Sequence, residues 1–497
     1  MGAIQRDTAP AGVMNTAQHS GEPILRAGDN CREIATADRA AVLVDGAAYF
    51  ARLEDMLRRA KRSVIIIGWD FDGRIRLRQD KSPEESPPLG TLLRSLVEEK
   101  PGLTVRALIW SASILHAPGD TREMLFGAAW QDHPRITVKL DTRHPIYAAH
   151  HQKIVVIDGC VAFVGGIDLT VGRWDTPEHR LDNPHRVGPD GKPYEPVHDI
   201  QMVVDGAAAR AVCRVAEERW KTATGEDMEV GPCEDPALWP ADLDPEFSAV
   251  PVAIARTLPS LGRKHSVTES ARVTLAAIEA ARESIYIEAQ YLTSGTIGKA
   301  LARQLEEPDG PEVIILMAHE SRGLLERWVM GTNRDRLIRR LVRADKHGRL
   351  RVDYPCMEGR DGPRQVLIHA KLLIVDNRFV KVGSSNLNNR SIGLDTELDL
   401  AIEATSETHR RAIAALRNRL LGEHLAASAH VVARTLVEEG SLGAAIDRLN
   451  VNRRCLKPFE AIDDDGPVHP VFATRLLDPK KRLFKRRWLW PFGSQAG

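Results

Sequence analysis

HQKIVVIDGCVAFVGGIDL (151–169) returns 218 residues later as HAKLLIVDNRFVKVGSSNL (369–387). Both copies read H-x-K-x-x-x-x-D. Each then reaches, seven residues after the aspartate, a small pair: Gly165-Gly166 or Gly383-Ser384. The β-branched runs between motif and pair read as buried strands, bounded by turn residues. One such segment is ambiguous. Two at a fixed offset describe a chain built from a doubled unit.

The doubling extends outward from the motif. AKRSVIIIGWDF (60–71) resembles ARESIYIEAQYL (281–292), LTVRALIW (103–110) matches PEVIILMA (311–318), and RITVKLD (135–141) matches RLRVDYP (349–355). DIQMVVDG (199–206) pairs with ELDLAIEA (397–404). Amphipathic helices are predicted before the first strand of each copy. One carries Phe50, Leu53, Met56 and Leu57 on a stripe after Asp45 as N-cap; the other carries Val273, Leu275, Ile278 and Ala281. A further helix follows the last strand of the second copy, with Ile413, Leu416, Leu420 and Leu421 at helical spacing.

Strands alternating with helices predict an α/β fold: two similar lobes, each a mixed β-sheet flanked by helices, packed with pseudo-two-fold symmetry around one site. The expected divisions are a flexible segment at 1–34, lobe 1 at 35–221, an acidic Pro- and Gly-rich linker at 222–250, lobe 2 at 251–427 and an extension at 428–497. The polar insert 173–198 is present in copy one only and is expected to face the substrate.

Composition narrows the function classes. With 497 residues and 43% hydrophobic content the chain can build several cores. Sixty-eight basic residues balance 68 acidic ones, which argues against a general nucleic-acid binder. The six cysteines are scattered without a CxxC pair, so reduced thiols are expected, and neither a disulfide framework nor a structural zinc site. The first residues lack the apolar core of a signal peptide, and no stretch approaches a membrane span. The chain is therefore expected to be cytoplasmic or peripherally membrane-bound, with export by a route that uses no signal peptide left open.

The chemistry concentrates in the repeated motif. Residues two apart on an extended strand share a face, so His151 projects with Lys153 and His369 with Lys371. Two such pairs meeting across a pseudo-two-fold make a cationic pocket suited to a phosphate oxyanion, with histidine as nucleophile or proton carrier. Asp158 and Asp376 complete the motifs and should leave in another direction near the strand ends. Asp168 and Asn386 stand at equivalent places after the small pairs, and Ser384 adds a hydroxyl; all three are candidate substrate contacts. Asp199 and Glu397 open the last strand of each copy and could orient a histidine, as an acid does in a triad. His198 has no assigned role. His150 aligns with the apolar Ile368 and is taken as a neighbour of the site.

These doubled motifs, with IYIEAQYLTS (285–294), GGIDLTVGRWDT (165–176) and the dipeptide HD (198–199), resemble the phospholipase D superfamily over roughly 35–427. The resemblance implies a catalytic set of His151, Lys153, Asp158, His369, Lys371 and Asp376, working without metal or other cofactor. It implies His151 as nucleophile and His369 as leaving-group acid, with Lys153, Lys371 and Asn386 stabilising charge on the phosphate. The implied reaction releases phosphatidate from a glycerophospholipid through a phosphohistidine, or passes it to another alcohol. A cardiolipin-synthase-like phosphatidyltransferase and a nuclease of the same superfamily are the alternatives. Two positions depart from the family pattern: Asp168 and Ala289 stand where many relatives carry Asn. Asp168 would place an anion beside the phosphate unless it pairs with Lys153. The tail DPKKRLFKRRWLWPFGSQAG (478–497) mixes basic and aromatic residues, as an interfacial anchor on anionic lipid does. The expected partners are thus a phospholipid and an anionic membrane surface, with no nucleic acid, and the chain is expected to act as a monomer.

Overall fold

The computed structural model describes residues 22–110, 127–145, 148–261, 265–319, 324–360 and 362–459, the side chains of 324–332 excepted. The basic-aromatic tail and most of the expected N-terminal segment therefore lie outside the described residues.

The apolar runs become strands where both faces are covered. Ser63–Gly68 is buried at every position, as are Ile154–Ile157, Val161–Gly165 and Ile200–Val204. Pairing runs from Ile136–Asp141 through Thr104–Trp110, Ser63–Gly68, Ile154–Ile157, Val161–Gly165 and Ile200–Val204 to Glu33–Val44. The first three of these strands run parallel and the remainder antiparallel, which gives the mixed sheet expected. The second copy repeats the order from Leu350–Gly359 through Glu312–Met317, Ser284–Ala289, Lys371–Val375, Phe379–Gly383 and Glu397–Glu403 to Phe247–Leu258.

The lobes are joined by a pairing that the repeat did not disclose. Glu33–Val44 and Phe247–Leu258 pair antiparallel with each other, so one sheet continues from lobe to lobe. The residues up to 250 expected as linker thus include the start of a central strand.

Alternation along each strand sorts its side chains into separate cores. Ile65 and Ile67 enter a core shared by both lobes, with Ile154, Val164, Met202, Val252, Leu372, Val382 and Leu400. Val64 and Ile66 point the other way, onto the helices Asp45–Arg59 and Leu89–Glu99. In lobe 2, Ile285 and Ile287 do the same against Glu269–Ala280 and Gly295–Glu306. The helices Gly206–Thr224 and Glu407–His424 supply the shared core with Val212, Val215, Ile413, Leu416 and Leu420. Beyond 427 the chain forms two more helices, Ala429–Glu439 and Leu442–Leu449, and a strand Arg454–Pro458 on the edge of lobe 2.

Two expectations are corrected. Cys160 and Cys233 form a disulfide across 73 residues, tying the linker to the turn after the first motif. Their separation in sequence gave no sign of the 4.8 Å between their Cα atoms. Among the described residues Cys31, Cys213, Cys356 and Cys455 remain thiols. Asp45 does not cap its helix: the N-cap is Val44, and no side chain caps there. Asp45 itself is helical in assignment but has φ of 68° and a fully buried side chain aimed elsewhere.

Candidate active site

Each motif histidine sits just before its strand, where the chain is extended and the next lobe is near. His151 donates its backbone N–H to the Thr396 carbonyl, and His369 donates its own to the His198 carbonyl. Each motif is thereby stitched to the opposite lobe. The side chains follow the same exchange. His151 Nδ1 lies 3.0 Å from Glu397 Oε2, and His369 Nδ1 lies 2.7 Å from Asp199 Oδ2. The histidine of each lobe is held by the acid of the other. Such pairing fixes the ring and its tautomer, as a triad acid does.

Gly166 explains how Asp199 reaches so far in: a Cβ there would stand 2.1 Å from Asp199 Oδ1, while one on Gly383 would stand 2.1 Å from Oδ1 of Asp399, the buried partner of Lys381. Only glycine leaves that space. Ser384, expected as a substrate contact, has its hydroxyl committed elsewhere: Oγ donates to Glu397 Oε2 at 2.6 Å and accepts from Leu398 N. Ser391 holds the other oxygen, Glu397 Oε1, at 2.6 Å. Ser391 was not legible from the motif, because it lies on a short helix with no twin in copy one.

The lysines are buried beside the histidines. Lys153 is 2% exposed, donates to the His151 carbonyl at 2.9 Å and pairs with Asp168 at 3.0 Å. Asp168 thus meets the condition that its negative charge required. Its other oxygen accepts from the backbone of Trp69 and Asp70, so the carboxylate ties a neighbouring loop to Lys153. Its twin Asn386 is also buried, its N–H donated to Ser391 Oγ, while its Oδ1 has no hydrogen-bond partner among the described residues. Lys371 donates to Gln290 Oε1 at 3.1 Å and to the His369 carbonyl. Trp69 adjoins the site: its ring lies edge-on to His151 at 6.4 Å and stacks on Trp110 at 5.8 Å.

Charge and burial set the titration. Burial, then Lys153 and Lys371, hold His151 well below the usual histidine range. Burial, then Lys371 and Arg173, do the same to His369. Arg173, from the insert after the first motif, is a site residue that the repeat could not reveal. Burial lowers Lys371 to about 7 against the attraction of Asp199, and pushes the Glu397 carboxyl up to about 8 against its two serine donors.

The motif aspartates do not join this group. Asp158 accepts the backbone N–H groups of Lys61, Arg62 and Ser63, each at 2.8 Å. Asp376 accepts those of Arg282, Glu283 and Ser284. Both stand at positive φ, 53° and 54°, in the turn at the far end of the strand. Seven residue steps separate them from the histidines, roughly 23 Å of extended chain at about 3.3 Å per step. The geometry gives them a structural role where the resemblance implied a catalytic one: each caps the start of the strand that pairs with its own motif strand. His150 is likewise a scaffold residue, between Thr396 Oγ1 at 3.0 Å and the Asp141–Arg219 pair.

The insert 173–198, expected to face substrate, is anchored inward by Asp175, His179 and Arg186, all buried. Among the described residues no helix is long and apolar enough to cross a membrane.

A family model described as phospholipase D matches residues 56–242, and one described as cardiolipin synthase, PLD-like domain, matches residues 274–419. Phospholipase D A of Dictyostelium discoideum is 27% identical over 427 residues, covering 72% of this chain and 32% of that protein. Phospholipase D2 of Bos taurus is 25% identical over 470 residues, covering 73% and 49%. The chain thus spans between about a third and a half of the length of these relatives. In fold it is similar to the phosphatidylserine synthase of Haemophilus influenzae Rd KW20, with a TM-score of 0.51 at 14% identity over 79% of this chain and 88% of that one.

Proposed function

This chain belongs to the phospholipase D superfamily, with two domains of that family in one polypeptide, and from that premise we propose that it is a phosphodiesterase of phospholipase D type that hydrolyses the distal phosphodiester bond of glycerophospholipids. The products would be phosphatidate and the free headgroup alcohol. One observation carries the reading: two histidines, each held by an acid from the opposite lobe, lie close enough to two buried lysines for each to feel the charge of both.

His151 Nδ1 also lies 2.9 Å from the Ser384 carbonyl, which can only accept. Nδ1 therefore carries the proton, and Nε2 keeps its lone pair for attack on phosphorus. The bond to the headgroup oxygen breaks, and that oxygen leaves with the electron pair and takes a proton from His369 Nε2. Water then gives a proton back to His369 while its oxygen attacks phosphorus. The phosphorus–nitrogen bond breaks, phosphatidate leaves, and His151 regains its lone pair. An alcohol in place of water gives transphosphatidylation. Lys153, Lys371, Arg173 and Asn386 supply the charge and donors for the non-bridging oxygens. The anionic substrate offsets the lysines and lets His369 hold its second proton. Burial raises both orienting acids, Asp199 and Glu397. The Ser384 carbonyl, which holds the Nδ1 proton of His151 and leaves its Nε2 unprotonated, favours His151 as nucleophile and His369 as acid.

The enzyme would work as a monomer on an anionic membrane surface, with the tail 478–497 as its contact. The test is incubation of purified protein with phosphatidylcholine, phosphatidylethanolamine, phosphatidylglycerol and plasmid DNA. Phosphatidate should appear, and should vanish in His151→Ala and His369→Ala. Nicked plasmid with intact lipid would overturn the reading.

A further inference from the structure

Behind His369, away from the reacting atoms, lies a second cluster that the proposed chemistry does not use. Asp45, His179, His198 and Glu423 are all buried, and one donor atom from each lies within 4.8 Å of the others. His198 Nδ1 is 2.7 Å from Glu423 Oε1 and 3.2 Å from Asp45 Oδ1. His179 Nε2 is 3.1 Å from Glu423 Oε1 and 3.7 Å from Asp45 Oδ2. Four donors at about 2.0–2.2 Å from a central ion would stand roughly 3.3–3.6 Å apart, so small adjustments close the set into a tetrahedron.

Three independent features point to a ligand there. Asp45 has no exposed surface, and neither of its carboxylate oxygens makes a hydrogen bond of good geometry among the described residues. Its backbone is held at φ 68°, a conformation that costs an aspartate energy and that aims the side chain inward and away from its own helix. Finally, the outer nitrogen of each imidazole is held by a carboxylate. His179 Nδ1 faces Asp175 Oδ2 at 3.1 Å, and His198 Nε2 faces Glu288 Oε2 at 2.8 Å. With an ion between the inner nitrogens, that arrangement would fix the tautomer that presents each as a lone pair, the usual support for a metal-binding histidine. The supporting acids are themselves held, Asp175 by Arg186 and the Val197 N–H, Glu288 by Tyr286 and His424.

We propose that Asp45, His179, His198 and Glu423 bind one divalent transition-metal ion, zinc being the best match to a buried set of two imidazoles and two carboxylates. Four protein donors leave no open position, so the ion is structural and takes no part in the transfer step. Its place in the fold gives it a task. The His198 carbonyl accepts the His369 N–H at 2.8 Å, and Asp199, the next residue, orients the His369 ring. The Asp45 N–H donates to the Asp199 carbonyl at 2.8 Å. Glu423 arrives from the helix Glu407–His424 of the other lobe. An ion here would pin the backbone that aims His369 and clamp the two lobes together. It also gives the insert 173–198 a reason to fold inward, and His198 a role.

The test uses the full chain, purified without chelator or affinity metal, and elemental analysis of the protein. One divalent ion per chain is expected, lost on incubation with a strong chelator. Zinc added back should raise the melting temperature by several degrees. Cobalt added to the stripped protein should give the visible absorption of a four-coordinate nitrogen–oxygen site. Glu423→Gln and Asp45→Asn should lower stoichiometry, while His151→Ala should retain it. If the conservative variants fail to fold, the stripped wild-type chain still decides. Traces of metal only, with no thermal shift on adding zinc, would overturn the proposal and leave the cluster as histidines charged by protons among carboxylates.

Discussion

Asp158 illustrates how a motif residue can support the fold without touching the reaction. Its carboxylate accepts three backbone N–H groups at the start of Ser63–Gly68. Asp158→Asn retains a side chain that tolerates the left-handed backbone but turns a donor toward those N–H groups. We expect a loss of about 2–4 kcal/mol in stability with the remaining folded protein still active, checked by denaturant titration beside kcat. His151→Ala should give the reverse: normal stability and no turnover. The histidine pair also predicts a pH profile. The competent free enzyme needs one proton on the pair, with His151 neutral and His369 charged. Both residues are held below the ordinary histidine range by burial and the lysines. So kcat/KM should be greatest on the acid side of about 6.5 and fall as pH rises. Bound phosphodiester raises the His369 affinity for its proton, so the optimum for kcat should lie at higher pH. Coincident optima would show that the anion does not charge His369. At this scale the sequence disclosed the histidines and lysines by their repetition. Ser391 and Arg173 have no twins that repeat their role, so no pattern exposed them.

At the level of elements, a strand-to-turn glycine, Gly166, sets the position of the acid that orients His369. Gly166→Ala puts a methyl 2.1 Å from Asp199 Oδ1, which must displace the carboxylate from His369. We expect kcat to fall on the order of 100-fold, the usual effect of misplacing a catalytic group by about 1 Å. KM and the melting temperature should change far less, and a fall in KM's favour without loss of kcat would contradict the assignment. The disulfide Cys160–Cys233 is a second element-level feature. Closing a loop of that length stabilises by about 4 kcal/mol on the chain-entropy account. Thiol titration of protein denatured without reductant should therefore find four thiols from six cysteines. Cys233→Ser should lower stability by a comparable amount. Six titratable thiols would show that the bond does not form. Strand and helix positions were largely legible, because period-2 and period-3.6 patterns survive in the sequence. The central strands Glu33–Val44 and Phe247–Leu258 were not recognised, since EIATADRAAVLV and FSAVPVAIARTL mix charge and proline into their apolar pattern.

The whole molecule is held together by exchange between its halves. The central strands pair across the lobes, the shared core takes residues from both, and each histidine is oriented from the opposite side. Neither lobe carries a complete site. A fragment ending near residue 245 should be inactive, and the full chain should unfold in one calorimetric transition. Two separate transitions, or turnover by one lobe, would refute this interdependence.

The sequence by itself determined the doubled α/β unit, the family and the two histidines and two lysines at its centre, because periodicity and repetition are local properties that spacing alone conveys. It left undecided which acid orients which histidine, that the motif aspartates serve turns, that Cys233 reaches Cys160, and that Asp45, His179, His198 and Glu423 converge. Those are contacts between residues about 70 to nearly 400 positions apart, or choices of side-chain direction at a strained turn. Folding within a lobe brings some of these groups together and the closing of one lobe onto the other brings the rest within bonding distance, since hydrogen-bond and metal chemistry depend on ångström-scale geometry that linear spacing does not encode.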